Sequence, residues 1–533
     1  MTTRLESDMD TNDAVIPNDA VIPNGSVGTD DTVYIARLLD RLARRGDAPA
    51  LRHHGRDTTA AQLLVSINRY ARALAGLGIG RGDLVALFAP DTPDALAVRY
   101  GAHLIGAGAV FLSVPAADRR AALVEQMDPR LLVVFPETVA ALPADVRCPV
   151  AAVGGDLPGA TLRLDELAAA GSGAPLPCLA RPDDLGVIVS SGGTTGVPKG
   201  SARSFAQYTA MVSAPSPADR RQLVNGRLAY LSQVLVDTTL LGGGTVVLRN
   251  YYDAADTLAT IEAERITDLF LVEPQLAELI GHPDVDRRDL SSLRAITHIG
   301  AAAPPTLRRR ARERLGARLA HTYGASEMGL VSALGPAEHD PERPEVFTSA
   351  GRVLPGVRVR FRRSDGTLAG AGETGSIEVR SPGMAAGYRN RPVEQAAAFV
   401  DGWYRTGDLG RLDEWGYLHI LCRAVDATWR DGALLAPPVV QDVLCRVPGV
   451  GFAVVVVNGG AGDWIAAVAP AWGATVDPGA CRDAVAAEVG ADVARRLLVL
   501  ALGRIPLTEQ GKPDRPFLRR LAALRSVPAR SAG

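Results

Sequence analysis

The sequence predicts an α/β protein: a large N-terminal domain of layered α/β subdomains, a β-rich subdomain, and a small α+β C-terminal domain. Three patterns carry this. Helical and strand-like apolar periodicities alternate from Thr32 onward, which argues for α/β layers. Between Gly351 and Leu421 the pattern changes to glycine-punctuated strands with short connections. A last stretch from Asp426 to the end, at roughly a hundred residues, is long enough to fold as a separate small domain.

The elements follow in order. Residues 1–30 are polar and repeat Asn12-Asp-Ala-Val-Ile-Pro17 as Asn18-Asp-Ala-Val-Ile-Pro23; with no apolar face to bury, they are expected to form a disordered tail. The N-terminal domain is assigned to 31–425. Leu63, Leu64, Ile67, Ala71 and Leu74 fall at helical spacing, predicting a helix over Ala60–Leu77 behind Thr58 and Thr59 as candidate caps. Asp91-Thr92-Pro93 opens another helix, with proline in its first turn. Apolar runs at Val110–Val114, Leu131–Phe135, Gly186–Val189, Leu269–Val272 and Ala295–Ile299 read as strands. The C-terminal domain, 426–533, carries strands at Val454–Val457, Trp464–Val468 and Leu497–Leu502 around a helix near Cys481–Val489.

Composition narrows the function. A net charge of −2 leaves no electrostatic footprint for nucleic acid or an anionic membrane, and Arg308-Arg309-Arg310 reads as the solvated face of a helix. The five cysteines are widely spaced without a Cys-x-x-Cys pair, so neither a disulfide framework nor a zinc site is indicated. Without a signal-peptide pattern or a long apolar run, the expected location is the cytoplasm.

Of 57 basic Lys and Arg residues only Lys199 and Lys512 are lysines. An ammonium is a compact point charge on a flexible stem, whereas a guanidinium is a planar fork; retention of lysine at two places implies a need for the former. Both lie in glycine-containing motifs. Ser190-Ser-Gly-Gly-Thr-Thr-Gly-Val-Pro-Lys-Gly200 follows a predicted strand, and its glycines, hydroxyls and lysine suit close approach to an anion. A Walker A loop is excluded, because proline precedes the lysine and glycine follows it.

This order of residues resembles the phosphate loop of the AMP-forming adenylating enzymes, the superfamily of acyl- and aryl-CoA synthetases, peptide-synthetase adenylation domains, luciferases and amide synthetases. Further matches occur in the family's order: Gly300-Ala-Ala-Ala-Pro-Pro305, Thr322-Tyr-Gly-Ala-Ser-Glu327, Trp403-Tyr-Arg-Thr-Gly-Asp408, Arg423, and Pro506-Leu-Thr-Glu-Gln-Gly-Lys-Pro-Asp514. The resemblance implies ATP and Mg²⁺ as cofactors. It assigns nucleotide binding to Ser191, Gly192, Gly193, Thr194, Thr195, Gly196, Lys199, Gly300, Ala301, Ala302, Tyr323, Gly324, Ser326, Asp408, Arg423 and Lys512. Tyr323 would stack on adenine, Asp408 would accept the ribose hydroxyls and Glu327 would help hold Mg²⁺. Lys512, Glu327 and Lys199 would be the catalytic residues, and Asp426 the hinge of a mobile C-terminal domain that withdraws Lys512 after the first step.

Two departures bear on substrate and acceptor. In the acid-pocket stretch Tyr230–Gly242, Gln233 stands where the family's histidine is expected, and Asp237 is its one carboxylate; Gln233, Asp237 and His298 are the candidate acid or acceptor-pocket residues. Cys422 replaces the glycine before Arg423, and the glutamates expected near Val439 and Gln441 are missing. Because that region shapes the pantetheine tunnel of CoA-forming relatives, the expected reaction is adenylation of an aryl or other small carboxylic acid and transfer to an amine, in natural-product biosynthesis. Acyl- or aryl-CoA ligation, nitrite activation for aryl-amine diazotisation, and a non-catalytic nucleotide-binding homologue are the alternatives.

Overall fold

The computed structural model describes residues 32–190, 197–299, 304–430, 433–458 and 463–526; the proposed tail lies outside them. Two large sheets form the N-terminal domain. The first has eight strands, with Leu84–Phe88 flanked in parallel by Gly108–Phe111 and Leu131–Val134, and Leu185–Ser190 parallel to Gly108–Phe111. These strands are short, mostly apolar runs because both faces of a parallel sheet are covered. The second sheet has nine strands. Its central five, Thr245–Leu248, Arg221–Val224, Asp268–Val272, Ala295–Ile299 and Leu319–Ala325, run parallel in that order.

Local signals explain why the elements begin where they do. The helix Ala60–Gly76 opens on a capping box: the Thr59 hydroxyl accepts from the Gln62 amide at 3.1 Å, and the Gln62 side chain accepts from the Thr59 amide at 2.9 Å. Thr92, not Asp91, caps Pro93–Leu104. The C-terminal helix begins three residues before Cys481, at Pro478, because Asp477 caps it and proline fits its first turn. One expected strand stops early: Gly108–Phe111 ends before Val114, whose amide turns away to another partner.

The β-rich subdomain is a five-stranded sheet of Arg358–Arg362, Gly375–Arg380, Phe399–Val400, Trp403–Leu412 and Leu418–Arg423, with antiparallel pairings. The small C-terminal domain pairs Val450–Asn458, Asp463–Pro470 and Leu497–Ala501 beside the helices Pro437–Arg446, Pro478–Glu488 and Arg515–Ser526. Its apolar core is continuous with that of the second large sheet. Arg308 departs from the expected solvated face of its helix. It is fully buried and donates to the carbonyls of Phe347 and Ser349, both at 2.6 Å.

The deepest polar feature joins four helices. Arg99, from Pro93–Leu104, donates two bonds to the Asp237 carboxylate at 3.0 and 2.8 Å; Tyr208 adds a third at 2.6 Å and Tyr100 a fourth. The guanidinium carbon lies 5.4–5.9 Å from the ring centres of Tyr34, Tyr100, Phe111 and Tyr208. Arg99 and Asp237 are both fully buried. Removing one member leaves the other charge buried without its partner, a loss of about 3–5 kcal/mol. Asp237→Leu should therefore lower the urea midpoint steeply, and Arg99→Met combined with Asp237→Leu should recover much of the loss.

Candidate functional site

The candidate site lies at the carboxyl ends of the parallel strands Asp268–Val272, Ala295–Ile299 and Leu319–Ala325, where open α/β sheets bind ligands. The strand Leu319–Ala325 returns antiparallel as Gly329–Leu334, which places Tyr323 near the strand's carboxyl end and Ser326 and Glu327 in the turn. Asp408 and Arg423 face one another as direct partners on adjacent antiparallel strands. The Tyr323 hydroxyl donates to Asp408 at 2.6 Å, and Arg423 donates to the other carboxylate oxygen at 3.2 Å. Three residues separated by as many as a hundred positions are thus brought together. Burial raises the Asp408 pKa, with Arg423, Tyr323 and Lys512 opposing the rise.

Glu327 is buried and accepts from Ser326 Oγ at 2.9 Å and from the Tyr388 hydroxyl at 3.0 Å. Tyr388 belongs to Gly387–Tyr388, which pairs antiparallel with Gly200–Ser204, the strand that directly follows Lys199. The Lys199 ammonium lies 4.8 Å from the centre of the Tyr388 ring, a cation–π contact. The tyrosine therefore touches both Lys199 and Glu327, which lie 128 residues apart. Arg203, fully buried, holds the turn by donating to the Ser326 carbonyl at 2.6 Å and the Gly383 carbonyl at 2.7 Å. Burial lowers its pKa to about 10, with Glu327 opposing the fall.

Lys512 arrives on a tight C-terminal turn. The Thr508 amide donates to the Lys512 carbonyl at 2.7 Å and the Gly511 amide to the Thr508 carbonyl at 2.8 Å. Gly511 adopts φ +79°, and a Cβ there would come within 3.0 Å of Val272 Cγ2, so glycine lets the turn lie close against the sheet end. The lysine side chain remains accessible along the crevice, yet the surrounding protein desolvates the ammonium and lowers its pKa. Glu327, Asp408 and Glu273 oppose the shift, and Arg423 adds to it. Glu273 is itself buried, with a carboxyl pushed up to about 8 by desolvation.

Of the residues selected from sequence, Lys199, Tyr323, Gly324, Ser326, Glu327, Asp408, Arg423 and Lys512 all belong to this crevice or the strands that frame it. Ser191, Gly192, Gly193, Thr194, Thr195, Gly196, Gly300, Ala301 and Ala302 lie outside the described residues. Asp426 is buried and accepts from Arg515 at 2.8 Å, bound to the last helix of the C-terminal domain. Gln233 is buried at the start of the helix Gln233–Gly242, and its Nε2 has no partner among the described residues. It remains a candidate pocket donor.

Two pocket assignments are corrected. Asp237 is fully buried and takes four donors from Arg99, Tyr100 and Tyr208, so it has no face to offer an acceptor. His298 is fully buried inside the sheet, with its ring centre 4.2 Å from that of His321. Burial and Arg308 hold it neutral well below the usual histidine range. Sequence reasoning missed Tyr388, Arg203, Glu273 and Glu509. Tyr388 carried a signal as an aromatic directly after Gly387, and Glu509 by its place inside the motif Pro506–Asp514.

The AMP-binding enzyme family profile matches residues 38–389 of the chain. The chain is 32% identical to the medium/long-chain-fatty-acid–CoA ligase FadD8 of Mycobacterium tuberculosis, over 90% of this chain and 89% of that protein. It is also 32% identical to the indoleacetate–CoA ligase of Aromatoleum aromaticum, over 89% and 95%. Among solved structures it resembles the amide bond synthetase McbA from Marinactinospora thermotolerans, with a TM-score of 0.81 and 33% identity over 92% of this chain and 99% of that one. No helix among the described residues is long and apolar enough to cross a membrane.

The Tyr388–Glu327 bond makes a direct prediction. Tyr388→Phe keeps the ring over Lys199 but removes a donor to a carboxylate, worth about 1.5–3 kcal/mol. ATP–pyrophosphate exchange should fall roughly tenfold to a hundredfold, while the thermal midpoint moves little.

Proposed function

The chain belongs to the AMP-binding enzyme family and is an ATP-dependent, AMP-forming ligase, and on that footing we propose that it adenylates a small carboxylic acid, aryl or similar, and passes the acyl group to an amine. The observation that carries the first step is the lysine-bearing turn Thr508–Lys512 packed through Gly511 against Val272, at the carboxyl end of the sheet beside which Glu327 and Asp408 lie. Attack of a carboxylate on ATP brings an anion to a polyanion, so positioning and charge neutralisation dominate the barrier. One carboxylate oxygen bonds to the α-phosphorus as the bond to the pyrophosphate oxygen breaks. Lys512 stabilises the charge gathering on the α-phosphate, and Lys199 holds the departing phosphates. Asp408, with lone pairs beyond those engaged by Tyr323 and Arg423, orients the ribose hydroxyls.

Glu327 suits Mg²⁺, which keeps most of its waters and takes one or two carboxylates together with substrate phosphates. Its oxygens each accept one protein donor and retain lone-pair capacity. A bound Mg²⁺ supplies Lewis acidity and neutralises phosphate charge. Tyr388 and Ser326 fix the direction in which the carboxylate presents itself.

In the second step the amine nitrogen attacks the acyl carbonyl, AMP departs, and the nitrogen gives up a proton. Similarity to an amide bond synthetase along nearly the whole chain supports an amine acceptor. So does the altered segment around the hinge, where Cys422 occupies the family's glycine position and is buried opposite Leu409. The CoA ligases among the relatives, FadD8 and the indoleacetate ligase included, favour CoA as the second reading. A pyrophosphate-release screen over aryl and alkyl acids, run with amines and with CoA, decides between them; product formation that requires CoA and ignores amines overturns the amine acceptor.

Two predictions attach to Lys512. Lys512→Ala should lower ATP–pyrophosphate exchange by roughly a hundredfold to a thousandfold or more, and Lys512→Arg should also fail, because a planar fork does not replace a point donor in a tight site. Desolvation lowers the ammonium's pKa below the ordinary lysine value of 10.5, so the cation is lost as pH rises through that lowered value. The exchange rate should show an alkaline limb below 10.5. Acyl transfer from a supplied adenylate should lack the contribution of this group.

A further inference from the structure

Three residues before Lys512, on the same tight turn, Glu509 reaches across to the N-terminal domain. One carboxylate oxygen accepts from the Val114 amide at 2.7 Å and from the Tyr230 hydroxyl at 3.2 Å. The other lies 3.5 Å from Arg227 Nε. Val114 is three residues past the strand Gly108–Phe111, whose neighbour Leu185–Ser190 leads into the phosphate motif; the Ser190 hydroxyl donates to the Phe111 carbonyl at 3.3 Å. Tyr230 sits in the irregular turn Leu228–Ser232, with non-helical φ −120° and ψ −142°, directly before the helix that begins at Gln233. A single carboxylate thus ties the lysine turn to the edge of the phosphate motif and to the acid-pocket segment.

We propose that Glu509 is a positioning residue: it seats the Lys512 turn on the pocket wall, so that the depth to which the lysine is delivered depends on the conformation of the Tyr230 segment. The turn itself is short and internally bonded between Thr508 and Lys512. A shift at Glu509 therefore carries Lys512 with it. Hydrogen bonds to an ionised carboxylate are the strong ones, and the Val114 amide, having left its sheet, depends on this acceptor. The Arg227 contact adds little, because Arg227 is 41% exposed at its side chain and water screens the pair. An acid that displaces Tyr230 would misplace the ammonium, so Glu509 links acid selection to the adenylation step. A role confined to holding the fold together would not distinguish the two half-reactions.

This inference rests on the proposed role of Lys512, and its test separates the two. In the full-length chain, hydrogen–deuterium exchange at the Val114 amide reads the contact without reference to activity. Glu509→Ala should speed that exchange, and Glu509→Gln, which retains an acceptor, should preserve most of the protection. In ATP–pyrophosphate exchange, Glu509→Ala should lower kcat by roughly tenfold to a hundredfold with the KM for ATP changed by no more than about twofold. Glu509→Gln should recover most of the rate, and acyl transfer from a supplied adenylate should be unchanged in both variants. Unaltered protection at Val114 in Glu509→Ala, or equal loss of both half-reactions in Glu509→Gln, overturns the proposal. If the native chain gives no pyrophosphate exchange with any acid, the proposed function fails, and the Val114 amide alone then decides whether the contact exists.

Discussion

The buried pair of Arg99 and Asp237 is the constraint on which the packing of the N-terminal domain's inner helices depends. It fixes the helix Gln233–Gly242 to Pro93–Leu104, and its aromatic surround brings in Tyr34 and Tyr208 from two further helices. Burying two charges is costly unless they are paired and every remaining lone pair is used. Here Arg99, Tyr100 and Tyr208 supply four donors to one carboxylate. The carboxylate is thereby fully engaged, while Arg99 Nε is left without a partner among the described residues, so a slip of either helix would cost the paired charge its remaining donors.

A second level of organisation is electrostatic. Lys199, Arg203, Arg423 and Lys512 lie around Glu327 and Asp408, and the two carboxylates offset part of the repulsion that Arg423 exerts on Lys512. Tyr388 and Tyr323 are the neutral spacers, each giving its hydroxyl to one carboxylate. A polyanionic ligand would meet donors that are already oriented, which is where preorganisation contributes most to rate.

Much of the architecture was legible in the sequence because its signals are local. Thr59 with Gln62, and Thr92 with Pro93, mark helix starts through bonds formed within a single turn, and the apolar run Ala295–Ile299 coincides with a strand. Motif order singled out Lys199, Glu327, Asp408 and Lys512, and the structure describes the surroundings of all four. What escaped was non-local. Asp237 looked like the pocket's carboxylate because its partner Arg99 lies 138 residues earlier, and nothing in either segment marks the pairing. Arg203 and Arg308 are indistinguishable in sequence from the many arginines on the surface, yet both are fully buried. Glu509 was overshadowed by the lysine three positions later, and its role appears only when the C-terminal turn meets Val114 and Tyr230.

The anchoring of Asp237 also bears on how substrate range could be altered. A helix held at one point by four donors behaves as a rigid beam whose surface can be re-dressed while its axis stays in place. Mutational libraries aimed at new acids would therefore do best to start from Gln233, whose amide nitrogen has no partner among the described residues, leaving Asp237 and its aromatic enclosure intact. In the same way, natural divergence within this scaffold would accumulate at positions of the beam outside the enclosure, where volume and polarity can change without unseating it.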